Sequence, residues 1–476
     1  MKKRLYILLF GMLLFATGCD DFLDITPTLP INESDIFSNP ERIELALLGL
    51  YATVKNTPAG TPGGYALLGG RGLTIMDVRG DDFRNVTTNQ LLLLDTYYMR
   101  VADNDSENEL FWRFAYLAIN RINVFLAGME GEGVRELLDE SVFNQFVAEA
   151  KFLRALCYYF LINLYGTPYV INPNAPAIPL RLQAEIDAEN NSLAPSTVAE
   201  VYAQILADLS DANIAALSVT ANNYATVTRA TQGAALMLRM RTYMGQANWS
   251  AAIGAGRAIT GHTLAADVAD TFSAPFFNSE SIFSFPMAMT NRPNTNLGVV
   301  DMFNPTGLDV LLVDLEAGIL SKPYYSLYFD ARIEAFLGAN GRWLKYTDPA
   351  RLDWVHIFRY AETLLGLAES YANLGGAANE ATARGLLTQV RHRSIDPSRD
   401  PLNIAALSGD ALLEAISNER RLELLGEGVR AIDITRRGET FRKGIGAGRE
   451  IIVAPTDPGY LWPIPQTERL TNSAIP

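Results

Sequence analysis

Carboxylates and guanidinium groups crowd into one stretch of the chain, EAISNERRLELLGEGVRAIDITRRGE (residues 414–439), a mixture that could in principle do acid–base chemistry. Within it Glu427, Arg430, Asp433 and Arg437 fall three or four residues apart with alternating sign. That is the pattern of ion pairs on one helical face, provided Gly428 does not break the helix, so the spacing predicts a structural network rather than an active site. The acidic run DNDSENE (103–109) imitates a calcium loop, but Asn108 stands where the loop needs glycine and Phe114 where it needs its closing glutamate. A solvated loop is the better reading. GIGAGR (444–449) places Arg449 at the third glycine of a dinucleotide fingerprint and follows no predicted strand. His262, His356 and His392 lie far apart without ligand spacing, and no Gly-x-Ser-x-Gly elbow occurs, so neither metal nor cofactor is expected. Glycoside hydrolysis stays open as an alternative because its two carboxylates need not be neighbours, yet nothing singles out a pair among 53 acidic residues.

Helices must position whatever this chain presents. Residues 142–165 set Phe146, Ala150, Leu153, Cys157, Phe160 and Leu164 at alternating spacings of four and three, one continuous apolar face. The preceding stretch 110–129 has the same character, which predicts an αα-hairpin. Residues 231–259 read as a second pair turning at MGQANW, and 357–393 as another turning at NLGG. Small residues on one helix facing aromatics on the next are the mark of tetratricopeptide (TPR)-like stacking. The long insertions 56–108 and 262–350 are rich in Gly, Pro, Asn and Asp, carry scattered aromatics, and read as ordered loops with short strands.

The N-terminus adds a different chemistry. Lys2, Lys3 and Arg4 precede an uncharged run from Leu5 to Ala16, followed by the small residues Thr17 and Gly18 and then Cys19. A run of about a dozen residues is too short to span a bilayer and has the layout of a secretory signal, predicted to be removed. ATGC (16–19) resembles the lipobox of bacterial lipoproteins, which would leave Cys19 as an acylated N-terminus carrying palmitate-type chains. Cys157, the other of two cysteines, reads as a small buried apolar residue. With Cys19 acylated, no intrachain disulfide can form. A net charge of −14 lacks the basic footprint that nucleic acid demands.

Several segments together carry a family resemblance: CDDFLDITPT (19–28), AYLAINRINVFL (115–126), AEAKFLRALCYYFLINLYGTPYV (148–170), then Glu419, Arg420, Arg421, Glu423, Leu424, Glu427, Gly428, Arg430 and Asp433, and finally Pro463, Ile464, Pro465 and Glu468 of LWPIPQTE. In this order they resemble the SusD/RagB family of outer-membrane nutrient-binding lipoproteins of Bacteroidetes. The chain departs from that pattern at Thr435 and at its end, TNSAIP, where the family often carries a Gln-Asn-rich tail. The resemblance implies an all-α fold of four TPR-like helix pairs with loop-rich insertions, capture without catalysis, and a SusC-like TonB-dependent barrel as partner. The expected organisation is a lipoprotein signal over 1–18, an N-terminal region over 19–230 and a C-terminal region over 231–476, the last two packed as one unit. The expected location is the outer membrane, lipid-anchored and facing the cell exterior. An oligosaccharide is the expected ligand; a peptide, as for RagB-type members, and a protein-binding TPR-like scaffold are the alternatives besides the hydrolase.

Sugars offer flat C–H patches edged by hydroxyls, so a site needs exposed rings and planar polar side chains. LLLLDTYYMRVADN (91–104) brings Tyr97, Tyr98, Arg100 and Asn104 together near Asp81 and Asp82. MTNRPNTN (289–296) supplies Asn291, Arg292, Asn294 and Asn296, and NGRWLKY supplies Trp343, set among Gly, Asn and Arg. These are the candidate ligand-binding residues.

Overall fold

A computed structural model describes residues 36–56, 64–187, 189–306 and 308–475. The predicted leader and Cys19 lie outside the described residues.

The helices that carry the architecture are α1 (Pro40–Lys55), α2 (Arg71–Arg79), α3 (Ser106–Met129), α4 (Glu140–Tyr165), α5 (Val198–Asp208), α6 (Gln232–Gly245), α7 (Trp249–Arg257), α8 (Tyr360–Leu374), α9 (Ala377–Ser394), α10 (Gly409–Glu423) and α11 (Arg430–Arg436). Local chemistry fixes their ends. Asn39 caps α1 ahead of Pro40, and Thr197 and Glu200 form a reciprocal capping box at α5. Asp105 caps α3, its carboxylate accepting from the Glu107 and Asn108 N–H groups at 2.8 and 3.4 Å. The acidic run predicted to be a solvated loop therefore serves as the first turn of a helix, which its glutamates favour through the helix dipole.

Helix α3 packs on α4, α4 on α5, α6 on α7 and α8 on α9, with α7 laid against α8 and α10 against both α8 and α9. This is a mainly helical, TPR-like stack, as the sequence led us to expect. The α8–α9 turn falls at Gly375 and Gly376, both at positive φ, where NLGG placed it. Gly245 shows why small residues recur at these faces: a Cβ there would meet the rigid Tyr202 ring, with Cε1 at 3.0 Å, so its absence lets the end of α6 approach α5. Strands occur as short antiparallel pairs. Ser281–Phe285 pairs with Val355–Arg359, tying the second insertion to the strand that leads into α8, and Phe83–Asn85 pairs with Leu311–Val313, joining the two long insertions to each other. Ile357 thus belongs to a strand, and the helix predicted from 357 starts at Tyr360. The β-branched and aromatic residues of VHIFR are buried throughout and take the ladder instead.

The acidic and basic residues of 414–439 do form a structural network, but by tertiary pairing. Gly428 adopts φ +72° and separates α10 from α11, so the run is not one helix. Glu427 meets Arg359 at 2.6 Å and Lys345 at 2.5 Å, Asp433 meets Arg420 at 3.1 Å, and Arg437 meets Glu369 at 3.0 Å. Arg359 also reaches Glu280 and Glu423, at 2.6 and 2.5 Å. All of these side chains except Arg437 are buried. Burial alone would raise the Glu427 carboxyl, but Arg359 and Lys345 hold it below the usual range. Cys157 is buried inside α4 and its thiol is pushed up to about 12 by desolvation, so it is inert packing.

Candidate functional site

A cleft of ≈ 570 Å³ opens where three segments far apart in sequence converge: the start of α2, the loop from 86 to α3, and residues 296–297. Arg71 ties them together. Its Nε donates to Glu107 Oε2 at 3.0 Å, Nη1 to the Asn296 carbonyl at 3.1 Å, and Nη2 to the Leu91 carbonyl. The Tyr65 hydroxyl donates to the other Glu107 oxygen. Burial and the Glu107 charge push this phenol well above its ordinary pKa, so it remains a donor.

The loop before α3 is held in a shape that few sequences adopt freely. Leu93 and Met99 have φ of +61° and +55°, each costing on the order of 1–2 kcal/mol. Both side chains are buried, and Asn85 donates to the Leu92 carbonyl at 2.7 Å, so packing pins the loop. Between them Tyr97 is buried, its carbonyl accepting from the Lys443 ammonium at 2.8 Å. Tyr98 is thereby turned outward, 44% exposed, with the Arg100 guanidinium 4.9 Å from its ring centre. Arg100 also donates to Asp95 at 2.7 Å and stays more than half exposed.

Of the predicted residues, Arg100 and Asn104 line this cleft together with Asn296, and Tyr98 stands beside it. Gln90, Asn104 and Asn296 present amide groups without a hydrogen-bond partner among the described residues, so their donors and acceptors are unspent. Asn291 and Asn294 are exposed on the turn leading to Asn296, and Arg292 is half-buried, donating to the Ala350 carbonyl at 2.7 Å.

Four expectations need correction. Trp343 is 0% exposed, and its indole N–H donates to the Leu425 carbonyl at 2.8 Å. The polar neighbours in NGRWLKY form a turn that drives the ring inward. Tyr97 is the buried pin just described. Asp82 is 1% exposed and meets Arg421 at 2.6 Å, while Asp81 meets Arg430 at 2.6 Å and Arg421 at 3.4 Å. Burial would raise the Asp81 carboxyl, but Arg421 and Arg430 hold it well below the usual range. These aspartates bolt the first insertion to α10 and α11 and are not presented to solvent. The residues missed were Arg71, Glu107 and Gln90. The glycines flanking Arg71 in GGRG marked a tight approach, but nothing local showed what the guanidinium would span.

Each carboxylate in the cleft wall is committed: Asp95 to Arg100, Asp105 to the α3 cap, Glu107 to Arg71 and Tyr65. Among the described residues no group of three His, Cys, Asp or Glu side chains is placed to hold a metal ion.

Comparison with known proteins extends this picture. Residues 21–244 match a family model described as starch-binding associating with outer membrane, and residues 336–475 match that of the SusD family. The crystal structure of a SusD superfamily protein from Bacteroides fragilis is 51% identical, covers 93% of this chain and 100% of its own, and superposes with a TM-score of 0.88. A laminarin-binding SusD-like protein, 21% identical over 92% of this chain and 98% of its own, shares the fold with a TM-score of 0.68. SusD-like protein P25 of Formosa agariphila is 24% identical over 91% of this chain and 89% of its own length.

Proposed function

Given that the chain belongs to the SusD/RagB family, we propose that it is a cell-surface lipoprotein that binds oligosaccharide in the Arg71 cleft and delivers it to a SusC-like TonB-dependent barrel. The observation that carries the binding reading is the ring of unspent amides, Gln90, Asn104 and Asn296, with Arg100 and the exposed Tyr98 ring beside them. Amides offer a donor and an acceptor in one plane, the geometry that vicinal hydroxyls require, and a ring can cover a C–H face. A relative that binds laminarin makes β-glucan oligosaccharides the first probes to test. Acylation of Cys19 would hold the body at the outer membrane, and no described helix is long and apolar enough to cross one.

Calorimetric titration with laminarin- and starch-derived oligosaccharides tests the reading. One series should bind. Asn104→Ala and Asn296→Ala should each weaken binding by about tenfold, the equivalent of roughly 1.4 kcal/mol for lost hydrogen bonds. Chromatography of the same mixtures should show the oligosaccharide unchanged, since a shortened product would favour the hydrolase. Leu91, 65% exposed at the cleft's edge, favours peptide as the second reading. Peptide binding with silence on every glycan would select it.

A further inference from the structure

On the helical body, away from the Arg71 loops, a groove of ≈ 500 Å³ runs between the α6–α7 turn and helices α8, α10 and α11. Met244, Trp249 and Leu413 supply apolar walls. Its floor is a closed ion cluster: Glu369 accepts from Arg436 and Arg437, and Arg437 also donates to Ser417 Oγ at 3.0 Å. Those charges are spent on each other.

Three groups in the groove are not. Asn418 is only 9% exposed, yet its amide has no hydrogen-bond partner among the described residues, and neither amide atom is sealed from solvent. A nine-tenths-buried amide whose donor and acceptor still open into the groove offers both to a ligand that displaces water from them. Glu414, one turn before Asn418 on the same face of α10, is exposed with no cationic partner among the described residues. The Trp249 indole N–H likewise has no acceptor among the described residues. Glu439 also lines the groove, 3.9 Å from Arg437 and 47% exposed.

We infer that this groove binds an extended segment of a partner polypeptide that carries alternating apolar and basic side chains. The Asn418 amide pairs with one backbone peptide group through its N–H and C=O together, the match that a side-chain amide makes best. An apolar side chain lies against Trp249, Met244 and Leu413, and a Lys or Arg side chain reaches Glu414 and Glu439. Sugar is the poorer occupant, because the walls are mainly aliphatic and carry a single ring. Charge selects the same way: the exposed rim is acidic, and the whole chain is at −14, so basic segments are attracted and acidic ones repelled.

The test uses Trp249 as its own reporter, since the other four tryptophans are buried. In the ¹⁵N-tryptophan-labelled protein, the Trp249 indole resonance is assigned by its loss in Trp249→Phe. The probes are acetyl-Leu-Lys-Leu-Lys-Leu-amide and its Glu counterpart. The basic peptide should shift the Trp249 resonance saturably and the acidic one should not. Asn418→Leu should weaken the basic peptide by about tenfold. Glu414→Lys, at an exposed position that folding tolerates, should reverse the preference between the probes. Equal response to both peptides, no response to either, or an unchanged preference in Glu414→Lys overturns the proposal. So does a saturable Trp249 shift with the oligosaccharide that occupies the Arg71 cleft, which would make the groove a second sugar site.

Discussion

Replacing Arg421 with alanine should lower stability without directly touching ligand binding, and the size of the loss can be worked from its contacts. Its guanidinium donates to both oxygens of Asp82, at 2.6 and 3.2 Å, inside the body. In Arg421→Ala the Asp82 carboxylate keeps the Ile319 N–H at 2.7 Å and the more distant Arg430 at 3.9 Å. Breaking one partner from a buried pair typically costs about 3–5 kcal/mol; this residual support places the loss near the lower end, about 3 kcal/mol. Unfolding entropy at ~2.1 cal/mol/K per residue, over the roughly 430 described residues, comes to about 0.9 kcal/mol/K, so the melting midpoint should fall by about 3 °C. Differential scanning calorimetry measures this. The double variant Asp82→Asn, Arg421→Met should recover part of the loss, because the asparagine still accepts from Ile319 and no bare charge is left buried. Oligosaccharide affinity at a temperature where both proteins are folded should stay within about twofold, since Arg421 does not line the cleft. Unchanged melting with binding lost would refute the reasoning and make Arg421 a ligand contact.

Arg71→Met removes the clamp on three segments, so calorimetric titration should show oligosaccharide binding weakened by more than about tenfold even with a far-UV spectrum like that of the wild type. His356 is buried, its Nδ1 is 2.8 Å from Ser284 Oγ, and desolvation lowers its pKa to about 4. The unfolded chain therefore takes up a proton near pH 6.5 that the folded one refuses until about pH 4. Stability from this site is complete above pH 6.5 and falls by about 3 kcal/mol on acidification through that window, a slope that urea titrations should find flattened in His356→Gln. Trp343→Ala should cost about 3–5 kcal/mol in the same assay, as emptying a core site does. Cys19→Ala should give a folded protein absent from the membrane fraction; retention after a high-salt wash would refute the anchor.

The helical stack was legible because its periodicity is local: the faces around Phe146 to Leu164 and the breaks at MGQANW and Gly375 follow from neighbours in sequence. The site was legible only in part, for the same reason inverted. Arg100, Asn104 and Asn296 could be named from polar, turn-rich composition. Arg71 could not, because its partners lie 20, 36 and 225 residues away. Asp81 and Asp82 read as exposed acids until the arginines 339 and 349 residues further on were brought against them. Trp343 misled because flanking polarity marks a turn, and a turn does not say which way its largest side chain points.

Two of the bonds by which Arg71 assembles the cleft end on main-chain carbonyl oxygens, those of Leu91 and Asn296. A carbonyl is present whatever residue occupies the position, so the frame is indifferent to the side chains it displays. Position 296, at φ +68°, admits chiefly asparagine, aspartate or glycine, but the residues at 90 and 91 can be exchanged while the guanidinium still draws the same segments together. The cleft is thus a mount with replaceable fittings, and grafting new loop tips at those positions is a practical route to retargeting the protein to a different ligand without redesigning its scaffold.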